Sequence, residues 1–188
     1  MAAGGGCSKA RRGGQAAWRG AAALMATLLI LPLAACGKHS APEAEGRPTP
    51  SGLPVPRFVS LKFGQVNARG GPGDDYKLLW IYRTPALPLQ IVAETADWRR
   101  VCDPDGGLAW VHRRTVEARR TVMRTSAEPL PLRNSPRATA GVSTTLAGRA
   151  LADLVTCKAG WCEVSAGRAR GWAPEAELWG TKEGALCH

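Results

Sequence analysis

Cysteine, histidine, arginine and tryptophan carry whatever chemistry this sequence can perform. Only three histidines occur, His39, His112 and His188, far apart in the chain. Acid–base or nucleophilic catalysis needs an imidazole beside a nucleophile and an orienting acid. His112 is followed by Arg113-Arg114 and has no such set near it, so the residues predict no enzyme. Six cysteines are present. In Cys157-Lys158-Ala159-Gly160-Trp161-Cys162 two strands meet at a short turn, a geometry suited to a cross-strand disulfide. Cys102 with Cys187 is then one of the alternative connectivities, tying the tail back toward the middle of the chain. Cys157, Cys162, Cys187 and His188 match no zinc-ligand spacing, so no metal is expected, nor any other cofactor. The basic run His112-Arg113-Arg114, Arg119-Arg120 and Arg124 reads as a solvated connecting face that could hold an anionic polymer at low salt.

The elements that must position these residues are short. The chain has 188 residues, 22 Gly and 14 Pro, which favours turns over long helices and excludes a multi-span membrane protein. Segments 57–118 and 119–180 align as two copies. Arg69 pairs with Arg133, Pro72 with Pro136, Ile91-Val92 with Leu154-Val155, Trp98 with Trp161 and Trp110 with Trp172. In the first copy, Val66–Arg69, Leu78–Tyr82, Leu87–Glu94, Trp98–Cys102 and Leu108–His112 read as strands. Leu87, Leu89 and Ile91 alternate with Pro88 and Gln90, and Pro88 predicts an edge position or a bulge there. Gly70-Gly71-Pro72-Gly73 and Asp103-Pro104-Asp105-Gly106-Gly107 are turn chemistry. Regularly spaced short strands predict an all-β fold, each copy a small barrel or sandwich. The four aligned tryptophans are expected in or near the two cores.

The motif Val66-Asn67-x-Arg69-x-Gly71-Pro72-Gly73, then Trp98-x-x-Val101, then Gly107-x-x-Trp110-Val111-His112 resembles the bacterial SH3-like (Src homology 3 b) domain. The second copy is divergent: it lacks the Asn and the Gly after Pro136, but keeps Gly171-Trp172-Ala173-Pro174. The resemblance implies small SH3-like barrels that act as binding modules without catalysis. Arg69 and Arg133, each after an apolar strand and before a turn, are expected to hold carbonyls of the distal loop or, in a sharper reading, a carboxylate of peptidoglycan. Trp80 and Tyr82, on one face of their strand, are the candidates for an exposed aromatic contact.

The N-terminus is read apart from the fold. Lys9, Arg11, Arg12 and Arg19 precede the apolar run Ala21 to Ala35, and Leu33-Ala34-Ala35-Cys36-Gly37 resembles the lipobox of bacterial lipoproteins. That resemblance implies a signal peptide over 1–35 and lipidation at Cys36. The chain would then be anchored to the membrane by lipid, with Gly37 favouring the periplasmic face of the outer membrane. Residues 36–56, rich in proline, form a tether, and 181–188 a tail. Removing the leader lowers the net charge from +10 to +6, too little for a dedicated nucleic-acid binder, so nucleic acid is not an expected partner. The expected function is a non-catalytic envelope lipoprotein binding peptidoglycan or cell-wall peptide. The alternative is a periplasmic adaptor for an envelope protein or enzyme.

Overall fold

The computed structural model describes residues 49–182 and Cys187. The expected signal segment, Cys36, the expected tether up to residue 48 and most of the tail lie outside the described residues.

Two seven-stranded antiparallel sheets follow one another. The first contains β1 (Arg57–Leu61), β2 (Val66–Arg69), β3 (Leu78–Tyr82), β4 (Pro88–Glu94), β5 (Trp98–Cys102), β6 (Leu108–His112) and β7 (Val116–Glu117). The second contains β8 (Thr121–Arg124), β9 (Leu130–Arg133), β10 (Val142–Leu146), β11 (Leu151–Lys158), β12 (Trp161–Ala166), β13 (Ala169–Pro174) and β14 (Leu178–Trp179). Strand orders are β3-β2-β6-β5-β4-β1-β7 and β10-β9-β13-β12-β11-β8-β14, the same path traced twice. A single 3-10 turn precedes the last short strand of each, at Arg113–Thr115 and Glu175–Glu177. The chain is all-β in two tandem SH3-like barrels.

Register confirms the internal repeat residue by residue. Arg69 stands opposite Trp110, and Arg133 opposite Trp172. Ile91 faces Val101 where Leu154 faces Val164, and each ladder shifts register one residue later, at Val92 and Val155. The irregularity expected at Pro88 therefore falls at Val92. Pro88 is instead the first residue of an interior strand, where its missing N–H is tolerated.

Alternation builds each core. Val59, Leu61, Val66, Ala68, Leu89, Ile91, Val101 and Val111 fill the first. Val122, Leu130, Leu132, Leu146, Val164, Ala173 and Leu178 are among those filling the second. In β1 and β8 the alternation breaks down. Phe58, Val59, Ser60 and Leu61 are all buried, as are all four residues of β8. One face of each strand meets its own core and the other meets the neighbouring barrel. Phe58 lies edge-on to Trp179 at 5.1 Å between ring centres, with the Arg120 guanidinium 5.4 Å over it. The Ser60 and Thr121 hydroxyls lie 2.6 Å apart; Ser60 also reaches the Arg119 carbonyl at 2.7 Å, and Thr121 the Ala86 carbonyl at 2.8 Å. Two hydroxyl protons serve these three contacts, so they act as one shared network. Asp105 holds Arg149 of the second barrel at 2.9 and 3.0 Å.

Two disulfides complete the frame. Cys157 and Cys162 face each other across the β11–β12 hairpin, with Cα atoms 4.1 Å apart. Cys102, at the end of β5, joins Cys187 in the tail, with Cα atoms 5.9 Å apart. The last part of the proline-rich segment is docked on the first barrel. Ser51 donates its backbone N–H to the Glu94 carboxylate at 2.9 Å, and its hydroxyl bonds the same oxygen.

Candidate functional site

Strand β2 points Val66 and Ala68 inward and Asn67 outward, as a two-residue period requires. Trp98 opens β5 and lies opposite His112, which closes β6. The rings meet edge to face at 5.3 Å between centres. His112 Nδ1 accepts the Arg114 N–H at 3.2 Å, and Thr115 donates to the His112 carbonyl at 2.7 Å, so the imidazole caps the 3-10 turn and is held in orientation. A neutral imidazole accepting at Nδ1 carries its proton on Nε2, which has no partner among the described residues. Together with Gln65, Arg69 and Asp74 these side chains line an open groove of about 350 Å³ on the first barrel. The Gln65 and Asn67 amides and the imidazole N–H face it; the exposed Asp74 carboxylate is shared with Arg69, and Trp98 is largely buried behind them.

The second barrel lacks this groove chemistry. By register, Pro131 stands where Asn67 does, opposite Thr145 rather than Ile81, and Pro174 stands where His112 does, opposite Trp161. Pro174 also caps its 3-10 turn without a side-chain bond.

The residues singled out from sequence have distinct fates. Arg69 Nη1 donates to the Tyr76 carbonyl at 2.9 Å, and Arg133 Nη1 to the Ala140 carbonyl at 2.6 Å, seven residues on in both cases. Both arginines thus pin their own loop, and Arg69 also lies 3.4 Å from Asp74. Gly71 is required in the first of these loops because the Tyr76 ring occupies the space a Cβ would take. Tyr82 is not an exposed contact. It is 8% exposed, and its hydroxyl donates to Asp103 Oδ2 at 3.0 Å. Burial first, and then the Asp103 charge, push its phenol above the ordinary value, so it stays a donor. Trp80 is half-buried, edge-on to Tyr82 at 6.0 Å and packed against the core. The exposed apolar residues of this region are Tyr76, Leu78 and Leu79, along the open edge of the sheet. Gln65, Asn67 and His112 were not singled out from sequence as groove residues. The outward phase of β2 pointed to Asn67, but only the β5–β6 register brings His112 against Trp98.

No three His, Cys, Asp or Glu side chains gather as a metal site among the described residues. All four described cysteines are paired.

Repeated strand order, paired arginine–tryptophan positions and small barrels packed in tandem define a two-module small-barrel protein. The family model for the bacterial SH3 domain matches residues 62–117 and 126–180, more than half of the chain, and the chain belongs to that family. Domains of this family are typically non-catalytic binding modules. No curated protein matches the chain. Among solved structures it is similar to NlpC1 from Trichomonas vaginalis at 11% identity and a TM-score of 0.31, covering 66% of this chain and 46% of that one. It is similar to NlpC2 from the same organism at 12% identity and a TM-score of 0.32, covering 70% and 51%. The chain spans about half the length of each.

Proposed function

We propose that the chain is a non-catalytic cell-envelope protein that binds peptidoglycan or its peptide through the groove of the first barrel, with the second barrel as a brace. Cys36 is its lipid anchor on the periplasmic face of the outer membrane. The observation that carries this reading is the groove itself: Gln65, Asn67 and the His112 Nε2–H offer neutral donors and acceptors beside the Trp98 ring. Neutral amides and an imidazole N–H complement a polymer of sugars and peptide bonds better than a phosphate chain, which calls for clustered cations. Peptidoglycan is a common ligand of the family.

The test is retention on purified sacculi. The full chain should sediment with them, and the Asn67→Ala, His112→Ala double variant should lose about tenfold in affinity, the effect of one or two hydrogen bonds. Pro131→Ala with Pro174→Ala should change nothing. Wild type left in the supernatant, or equal retention of the groove variant, rejects the reading. In a Gram-negative host, labelling by a fatty-acid analogue should be lost with Cys36→Ser.

The open strip of Tyr76, Leu78 and Leu79 favours a second reading, an adaptor for an envelope protein. Retention that requires envelope extract, and is lost with Leu79→Ser, would select it.

A further inference from the structure

Between the barrels lies a second cavity, about 390 Å³, which the groove reading does not use. Part of its wall is apolar: Ile81 and Leu87 from the first barrel, Met123 and Leu151 from the second; the rest is polar. At its floor the Tyr82 hydroxyl is taken by Asp103 Oδ2, while Asp103 Oδ1 accepts the N–H groups of Asp105 and Gly107 at 3.0 and 2.7 Å. The floor therefore makes no polar demand on a ligand. On the rim, Asp105 and Arg149 neutralise each other in a two-bond pair that spans the barrels. The Asp103 carboxylate meets only neutral donors, and one cation of the lining is left to balance it. Arg83 lines the cavity, is exposed, and has no hydrogen bond or ion pair among the described residues.

We propose that this cleft binds the carboxylate-terminated end of a short peptide with small apolar side chains. Arg83 would take the carboxylate in its planar fork. The apolar part of the wall would take one or two small side chains; the volume lies at the lower end of ordinary ligand sites. The Asp105–Arg149 pair and the Thr84 hydroxyl offer an acceptor and donors along the rim, as a peptide unit needs and a fatty acid would not use. Because the cleft exists only while both barrels are docked, the site belongs to the tandem pair and to neither barrel alone. This inference is independent of the cell-wall reading and of the groove.

Met123 is the one methionine among the described residues and it lines the cleft, so its methyl group reports occupancy. The full chain, labelled at methionine methyl carbons and assigned with Met123→Leu, would be titrated with tri-alanine and with tri-alanine amide. Tri-alanine should move the Met123 signal saturably. The amide and the Arg83→Gln variant should each weaken binding about tenfold, the worth of a hydrogen bond to a charged group. An unchanged ligand-free spectrum of Arg83→Gln would show the fold intact. No shift at ~10 mM tri-alanine, well above millimolar affinity, overturns the proposal. So does an equal response to the amide. Acetate as effective as tri-alanine would overturn the peptide part. The Asn67→Ala, His112→Ala variant should keep tri-alanine binding, which separates failure here from failure of the groove.

Discussion

Glu94 shows how single residues tie the ends of this chain together. Its carboxylate is fully enclosed and takes Arg57 at 2.6 Å and Arg99 at 3.1 Å, besides Ser51. Burial alone would raise its pKa, but the bonds from Ser51 and Arg57 outweigh that and hold it down from the ordinary 4.5 to about 2. A depressed folded-state pKa gives stability that is present above the unfolded value and lost as pH falls through the folded one. Acid should therefore weaken the protein between about pH 5 and about pH 2, in part through this group. Glu94→Gln should cost about 2 kcal/mol at neutral pH, because Arg57 and Arg99 lose their counter-charge, and should flatten that acid limb. Denaturant titrations of both proteins across this range check the prediction; identical pH profiles would contradict it. Arg69 and Arg133 were legible as a pair because they recur at one position of the repeat. Glu94 was not, since its partners come from β1, β5 and the proline-rich segment.

At the level of elements, the β11–β12 hairpin holds a testable compromise. Its two turn residues, Ala159 and Gly160, both have positive φ, at 48° and 76°. A two-residue turn of this kind suits Asn-Gly, because alanine resists the left-handed region while asparagine tolerates it. Ala159→Asn should stabilise by up to about 1 kcal/mol, read from the denaturation midpoint with the Cys157–Cys162 bridge intact. A lower midpoint would mean that the bridge, not the turn, sets this geometry. Strands β2 and β6 were readable to the residue because burial alternates along them, one face dry and the other wet; β3 and β5, LLWIY and WRRVC, do not alternate and were bounded instead by the turn residues around them. Strands β1 and β8 did not declare themselves: burial on both faces erases the period. Strands β7 and β14, two residues each, are too short to show one.

For the molecule as a whole, the consequence of those doubly buried strands is coupling between barrels. Phe58→Ala removes the ring that Trp179 and Arg120 enclose, and should cost about 3 kcal/mol, the lower end for a buried aromatic. Calorimetry should then resolve two transitions where the wild type shows one; a single transition at the original temperature would place the coupling elsewhere. By itself the sequence determined what is local: an all-β chain in two copies, most strands of the first copy, the turns, and the cysteine hairpin. Each of these is written in neighbouring residues by alternation, turn chemistry or short spacing. The tertiary structure alone decided that Tyr82 is buried, that His112 meets Trp98, that prolines of the second barrel stand where Asn67 and His112 stand in the first, and that Ser51 closes on Glu94. It also selected the Cys102–Cys187 bond from the open connectivities and made a cleft from Arg83, Met123 and Arg149. These outcomes depend on strand register and on packing between segments far apart in the chain, and no local pattern encodes either.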